Sequence, residues 1–210
     1  MGDGRRPREA SLSDPFADVV RRRRMVRRFD RGAVSSAQLD ELIDLARRSP
    51  SAGFSQGTDF VVLEGADTSR FWDITLPPTR RSSFPWPDLL DAPVLVLPMA
   101  NEAAYRSRYG EADKAHTGLA GGEWPVPYWQ VDTAMATMTL LLAVVDAGLG
   151  ALFFGIFDNE DDLLTDLGVP DGIRPIGAVA IGHPAGRDRP SRSAVRGRRP
   201  LEEVIHRGGW

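Results

Sequence analysis

The chain alternates short apolar runs, which are typical of buried strands, with longer segments whose apolar residues recur at helical spacing. Four apolar runs bounded by turn residues predict strands at 59–64, Ala92–Ala100, 151–157 and Ile176–Pro184. Helical patterns separate these runs, and no internal repeat is visible. The alternation predicts a single domain of the α/β or α+β class.

Polar residues at characteristic positions predict where the helices begin. Asp14 followed by Pro15 is typical of a helix start, and Ser35 with Gln38 has the spacing of a capping box. Asn101 is expected to cap a helix that runs through Tyr109. A short acidic helix is expected to begin at Asp158 or Asn159 and to end at Gly168.

The longest helical pattern starts near Tyr128 and ends before Gly148. One face collects large apolar residues, but alanine and valine spread apolar character around the whole cylinder. A helix that is apolar nearly all round is a buried one, so we expect it to be the spine of the domain or of a dimer interface. The large residues of that face are Met135, Met138, Leu141, Leu142 and Val145.

Residues 66–91 show no period and mix proline, tryptophan and arginine. This composition predicts a loop with short helical pieces on the surface, where it could cover a pocket.

Composition narrows the class of protein. The 210 residues carry a net charge of −3 and contain no cysteine, which excludes disulfides, thiolate nucleophiles and cysteine-ligated metals. The three histidines are far apart in sequence, so we expect no metal site. The net acidity argues against a nucleic-acid binder, and no apolar run reaches the length of a membrane span.

The polar N-terminus has no secretory signal pattern, so we expect a cytoplasmic protein without a membrane partner. Residues 1–14 are expected to form a disordered tail and residues 15–210 a single domain.

Six arginines occur within Arg21–Phe29. They could be solvated charges at a helix end, or they could clamp an anion such as phosphate. A second cluster, Arg196, Arg198 and Arg199, precedes the amphipathic segment PLEEVIH near the C-terminus. The two clusters could therefore meet over one phosphate.

Neither a nucleophile motif nor a dinucleotide-binding G-x-G-x-x-G after a strand is present. An enzyme of this composition would take its chemistry from an organic cofactor. The small residues of SPSAGFSQG, residues 49–57, would allow a flat ligand to approach the backbone closely.

Four stretches together resemble the nitroreductase family of FMN-dependent oxidoreductases. RRMVRRF (23–29) is similar to the opening R-R-S-x-R-x-F, and SPSAGFSQGTDFVVL to A-P-S-x-x-N-x-Q-P-W-x-F-x-V. LLLAVVDAGLGALFFGIF resembles the central helix and the strand that follows it. IGAVAIGHP and VRGRRPLEEVIHRGGW resemble the closing strand and tail.

The resemblance implies an α+β fold, a three-layer α/β/α sandwich with a mixed, mainly antiparallel sheet. It also implies a homodimer that exchanges terminal segments and binds FMN at its interface. NADH or NADPH would be the electron donor, and a small molecule the acceptor.

The resemblance also implies a set of cofactor contacts. Arg23, Arg196 and Arg198 would hold the phosphate, and Arg27 would lie near the pyrimidine edge. Gly155 would place its backbone N–H near flavin N5, and residues of the partner's SPSAGFSQG segment would lie against the ring. The remaining implied cofactor contacts are Arg24, Met25, Pro50, Ser51, Ala52, Gly53, Gln56 and Phe154.

Several positions depart from the family pattern. Met25 replaces a serine, Phe54 replaces an asparagine, and Gly57-Thr58 replaces Pro-Trp. These changes bear on substrate range rather than on FMN binding. Four aromatic residues are candidates for shaping the substrate pocket, although ordinary core packing is the more common role for any one of them: Phe54, Trp124, Tyr128 and Trp129.

The implied activity is ping-pong transfer of two electrons from NAD(P)H through flavin N5 to a nitroaromatic, a quinone or a free flavin. One alternative is another FMN reaction on the same fold, such as dehydrogenation or cofactor processing. A second is a flavin-storing or regulatory protein with little turnover.

Overall fold

The computed structural model describes residues 14–186 and 196–210. These residues form seven α-helices and five strands. The helices are α1 (Asp14–Arg22), α2 (Ser36–Ala46), α3 (Thr68–Thr75), α4 (Pro78–Arg81), α5 (Glu102–Tyr109), α6 (Tyr128–Asp146) and α7 (Glu160–Asp166). The strands are β1 (Thr58–Glu64), β2 (Val94–Asn101), β3 (Gly150–Phe154), β4 (Ile173–Pro175) and β5 (Ala178–Gly182).

The strands form one sheet in the order β1-β2-β5-β3, and β4 pairs with the end of β2. All pairs among the five strands are antiparallel. Beyond β3, Met25 makes a parallel bridge to Ala151, and the N–H of Val26 donates to the Ala151 carbonyl over 2.8 Å. The segment after α1 therefore extends the sheet at the β3 edge and makes it mixed.

Side chains alternate between the two faces of the sheet, and each face has its own core. On β2, Leu95 and Leu97 pack with α3 and α7, whereas Val94 and Val96 pack with α2 and α6. Because both faces are covered by helices, the fold is a three-layer sandwich. The predicted fold class, α+β with a mainly antiparallel sheet, is confirmed.

Two of the residues predicted to start helices, Ser35 and Asn101, make the expected capping bonds, whereas Asn159 precedes α7 without a side-chain capping bond. The Ser35 hydroxyl accepts from the Gln38 N–H, and the Asn101 side chain accepts from the Ala104 N–H. Each bond satisfies a donor that the first turn of a helix leaves unpaired. The four predicted strands are also present, whereas the short β4 is an additional strand that the sequence did not predict.

Residues 66–91 are more ordered and more buried than expected. They contain α3 and α4, and the side chains of Phe71, Trp72, Leu76 and Leu89 lie in the core. The predicted short helical pieces are present and line a pocket. The predicted surface position is wrong for α3, because this helix presents one apolar face to the sheet. Its buried residues, Thr68, Phe71 and Trp72, are three and four positions apart.

Helix α6 has a buried side and an open side. Leu140, Leu141 and Val144 are buried, whereas Met135 and Met138 are exposed in the single chain. The predicted role as spine of the domain holds for the buried side, and the alternative role in a dimer interface stays a prediction for the open side. By length and composition alone α6 could cross a membrane, as many core helices of soluble proteins could. In this fold it packs against α2 and the sheet.

Candidate functional site

A cavity of about 380 Å³ lies between α3, the segment 84–89 and the end of β3. We call it the aromatic pocket. The rings of Trp72 and Phe154 stack in parallel with centroids 5.7 Å apart, and Phe71 meets Phe154 edge to face. Phe84, Trp86 and Leu89 complete the apolar wall. A cavity of this size with flat aromatic walls suits a planar ligand.

Arg27 brings positive charge to the aromatic pocket. The parallel bridge at Met25 holds the segment after α1 against β3, so Arg27 reaches the pocket two residues later. Its guanidinium lies over the Trp86 ring at 5.1 Å from the centroid and donates to the Met25 carbonyl. The contact with the Trp86 ring and the bond to the Met25 carbonyl hold the cation at the wall of the pocket.

Gly155 follows β3 at the other side of the pocket. A Cβ at this position would come within 2.7 Å of the tip of the Phe157 ring, so a larger residue would push this ring aside. Phe157 is 90% exposed in a single chain. At the rim of the pocket, an ion pair of 2.9 Å between Arg80 and Asp158 joins α4 to the turn that follows β3.

Arg23 and Arg24 point to different surroundings. Nη1 of Arg23 is buried and has no hydrogen-bond partner among the described residues. A buried, charged donor without a partner is costly, and an anion would satisfy it. Arg24 is exposed and lines a separate cleft with Val26, Leu149 and Pro184.

Residues 51–56 form a tight turn with unusual backbone conformations. Gly53, Phe54 and Gln56 have φ values of 62°, 56° and 51°. The Gln56 N–H donates to the Ser51 hydroxyl, which closes the turn. Such conformations cost energy for a bulky residue such as phenylalanine and occur where surrounding contacts enforce them. The turn leaves Phe54 projecting outward, 74% exposed.

Asp132, at the start of α6, holds the tight turn from inside. It is only 3% exposed, and its Oδ2 accepts from the Ala52 N–H over 2.8 Å and from the Tyr105 hydroxyl over 2.7 Å. Burial, followed by the hydrogen bond to Asp132, raises the pKa of Tyr105 above its usual value. Tyr105 therefore stays protonated and donates to the carboxylate.

Arg108 holds the turn from outside. Its Nε donates to the Gly53 carbonyl over 2.9 Å, while its other nitrogens pair with Asp113. The hydrogen bond from Arg108 lowers the pKa of Asp113 to about 2. Asp113 thereby orients the guanidinium so that its Nε can donate to the turn.

Trp124, Tyr128 and Trp129 pack with Tyr105 and Tyr109 in one aromatic cluster next to the tight turn. The Trp124 indole donates to the Leu119 carbonyl over 2.9 Å. The three predicted substrate residues thus lie together, but beside the turn and not among the lining of the aromatic pocket.

Within a single chain, the tight turn and the aromatic pocket lie apart. The tight turn leads into β1, whereas Gly155 follows β3, and these strands are opposite ends of the path β1-β2-β5-β3. Three strand spacings correspond to roughly 14 Å. Arg27, Phe154 and Gly155 therefore form one half of the predicted site, and residues 50–56 with the aromatic cluster form the other.

The C-terminal segment 196–210 is exposed along its whole length. Arg196 and Arg198 are exposed, and Arg199 pairs with Glu203 within the segment. Within the described residues, the segment carries four exposed apolar side chains: Leu201, Val204, Ile205 and Trp210.

Sequence reasoning missed two groups of residues. The pocket wall made by Phe71, Trp72 and Trp86 lay in a stretch without a clear period, although the spacing of α3 was a usable signal. Asp132 lay inside an apolar helix, where an isolated acid is itself a signal that it has buried partners. Among residues 14–186 and 196–210, no cluster of acidic and histidine side chains could hold a metal ion.

The chain is similar to known proteins over most of its length. It is 28% identical to the FMN reductase [NAD(P)H] of Bacillus subtilis (strain 168) over 184 residues, 87% of this chain and 69% of that protein. A nitroreductase family protein from Streptococcus pneumoniae TIGR4 has the same fold, with a TM-score of 0.70 and 21% identity over 91% of this chain and 98% of that one.

A further crystal structure, of a protein from Exiguobacterium sibiricum 255-15 in complex with FMN, gives a TM-score of 0.71 at 16% identity, over 94% of this chain and 98% of that one. The model of the Nitroreductase family matches residues 20–183. That match spans most of the sequence, and the chain belongs to the nitroreductase family.

Proposed function

We propose that this protein is an FMN-dependent oxidoreductase that moves two electrons from NADH or NADPH to an electron-poor acceptor. The observation that carries the proposal is the aromatic pocket, where Arg27 and Gly155 face one flat cavity. The similarity to an FMN reductase [NAD(P)H] and the FMN complex of a fold relative support the same cofactor and donor.

The residues present fit FMN. The unpartnered Nη1 of Arg23 is a donor for phosphate, and the stacked walls of Trp72 and Phe154 suit a planar ring. Gly155 lies in the lining of the pocket, and beside it stands only the exposed, movable ring of Phe157, so a bound ring could approach its backbone closely once Phe157 moves aside. Arg196 and Arg198 would complete the phosphate site if the C-terminal segment folds over it.

When bound, FMN supplies the electron transfer by accepting a hydride from NAD(P)H and passing two electrons to the acceptor. The protein holds and orients the reactants. Arg27 would place a positive charge beside a bound FMN ring, and the apolar wall would exclude water from the cavity. Protons for the reduced acceptor come from solvent, so the site requires no dedicated acid.

Donor and acceptor would use the same face of the ring in turn, which makes the kinetics ping-pong. A nitroaromatic, a quinone or a free flavin is a flat, electron-poor molecule of the kind this site would admit.

A second copy of the chain completes the site. Because the tight turn and the aromatic pocket lie at opposite edges of the sheet, one copy's turn reaches a pocket only in another copy. The open side of α6, with Val131, Met135 and Met138, supplies an apolar surface for that contact. The exposed apolar C-terminal segment would be exchanged between the copies.

The visible spectrum of the purified protein tests the proposal directly. We expect a yellow protein that loses its flavin absorbance under anaerobic NADH or NADPH and regains it on adding a quinone. A colourless protein that gains no bound flavin on adding FMN would refute the proposal. Bound FMN that neither donor reduces would favour the storage alternative.

A double variant tests the phosphate site. Arg23→Ala with Arg198→Ala should raise the Kd for FMN by at least tenfold. Arg21→Ala with Arg199→Ala removes the same charge from the same two clusters and serves as the control. Equal weakening by both pairs would show a general effect of charge.

Light scattering should give twice the chain mass of 23.0 kDa. A monomer with bound FMN would contradict the shared site. We further propose that residues 15–210 act as one domain and that the protein works in the cytoplasm; residues 1–13 of the expected tail lie outside the described part of the chain.

A further inference from the structure

The segment that leads from α2 into β1 is fixed to α6 by three polar contacts. The Ser49 hydroxyl pairs with that of Thr139 at 2.8 Å, and the Thr58 hydroxyl with that of Thr133 at 2.9 Å. Between them, Asp132 accepts the Ala52 N–H. The two hydroxyl pairs hold the ends of the segment, and only the Asp132 contact reaches the tight turn from α6.

The carboxylate of Asp132 suits this position. Its Oδ2 takes two donors, the Ala52 N–H and the Tyr105 hydroxyl, and both bonds are short and charge-assisted. A buried carboxylate is costly unless it is hydrogen-bonded, so its presence at the start of an otherwise apolar helix indicates a specific use.

The tight turn needs such an anchor. Phe54 has a φ of 56°, a conformation that a free phenylalanine rarely adopts, and its ring is 74% exposed. Without the bond at Ala52, the turn would keep its contact with Arg108 but lose its direct bond to α6, and we expect the Phe54 ring to shift. The direction in which Phe54 projects thus depends on a residue that does not contact solvent or ligand.

We propose that Asp132 is a positioning residue that fixes the tight turn, and with it Phe54, for contact with the ring system bound in the aromatic pocket of a second copy. This inference rests on the proposed function for its last step, while the anchoring itself is a property of the chain alone.

The anchoring is tested in the protein without cofactor by hydrogen exchange of the Ala52 amide, with Asp132→Ala against the wild type. Thr133→Val is the matched control because it removes a buried hydrogen bond to the same segment without touching the turn. We expect exchange at Ala52 to rise at least tenfold in Asp132→Ala and less than threefold in Thr133→Val. Equal rises, or no rise, would overturn the proposal.

The consequence for the site is tested in the variants loaded with FMN. Asp132→Ala should raise the KM for a quinone acceptor at least fivefold, with less than a twofold change in kcat, whereas Thr133→Val should leave both near the wild-type values. Faster Ala52 exchange with unchanged KM would reduce Asp132 to a structural residue and overturn the proposal.

The two failures can be distinguished. If the wild-type protein binds no FMN, the proposed function fails, and with it the last step of the inference, while the exchange experiment still decides whether Asp132 anchors the turn. If Asp132→Ala is too unstable to purify, Asp132→Leu fills a similar volume and removes both acceptor oxygens, and the same exchange threshold applies to it.

Discussion

The aromatic pocket is shaped by buried side chains, whereas the tight turn is shaped by backbone geometry. Trp72 and Phe154 are packed between α3 and the sheet. The turn instead depends on left-handed residues and on hydrogen bonds from Asp132 and Arg108, and its one large side chain, Phe54, faces outward.

Because of this difference, we expect the stability of the fold and the selectivity for ligands to depend on different residues. A change in the pocket wall disturbs the core and the ligand site together, because the same rings serve both. A change of the Phe54 side chain alters what the protein offers to a ligand while leaving the core intact. We therefore expect retention of the cofactor to depend on the pocket, and choice of acceptor to depend on the turn.

The largest predicted difference comes from truncating one aromatic residue in each region. Trp72→Ala removes a ring that is 6% exposed and should lower the free energy of unfolding by about 3–5 kcal/mol. Phe54→Ala should change it by less than about 0.5 kcal/mol. Urea unfolding at one protein concentration measures both. Similar losses in the two variants would show that the turn ring is packed in the assembled protein.

The second prediction concerns Gly57, where the turn meets the core. A Cβ there would lie 2.5 Å from the Tyr105 ring and 2.8 Å from the Asn101 carbonyl. Gly57→Ala should therefore cost about 1–3 kcal/mol of unfolding free energy through overpacking. Gly121→Ala is the control because a Cβ there meets nothing within 4 Å. A neutral Gly57→Ala in thermal unfolding would mean that Tyr105 moves easily.

The sequence predicted the helices and strands well where polar capping residues or apolar runs marked them, as at Ser35, Asn101 and Val94–Asn101. It failed where order depends on tertiary packing. Residues 66–91 fold because Phe71 and Trp72 find a sheet face that lies elsewhere in the sequence. The same limit applies to the open side of α6. Periodicity predicts which faces of a helix are apolar, but it does not predict which of these faces is covered within one chain.

For the site, motif resemblance placed Arg27, Phe154 and Gly155 around one pocket and the SPSAGFSQG segment in one turn. The resemblance could not predict the role of Asp132, because the hydrogen bond of this residue joins α6 to a turn some 80 residues earlier in the chain. Arg24 was grouped with Arg23 by sequence, but an extended backbone sends neighbouring side chains to opposite sides.

The third prediction is a pH effect at Tyr105. Tyr105→Phe should cost about 1–2 kcal/mol near neutral pH because it removes a hydrogen bond to a buried carboxylate. Since the folded-state pKa of Tyr105 is raised above its usual value of 10.0, this stabilisation is fully present below about pH 10 and is lost as the pH rises further. The stability gap between the two proteins should narrow above about pH 10 in urea unfolding. A gap that is constant with pH would mean that the pKa of Tyr105 is the same in the folded and the unfolded protein, contrary to its burial next to Asp132.

The smallest predicted effect on stability lies at Phe54 itself. Asparagine adopts left-handed backbone conformations more readily than phenylalanine or alanine. The free energy of unfolding of Phe54→Asn, measured in urea, should therefore equal that of Phe54→Ala or exceed it by up to about 1 kcal/mol. Asparagine is also the residue that the family pattern has at this position. Its polar side chain would present a hydrogen-bonding group where the wild type presents an apolar ring, so the ratio of kcat/KM for nitroaromatic and quinone acceptors should shift while the Kd for FMN stays within about twofold. If FMN affinity falls instead, the turn contributes to holding the cofactor, and the division between a retaining pocket and a selecting turn does not hold.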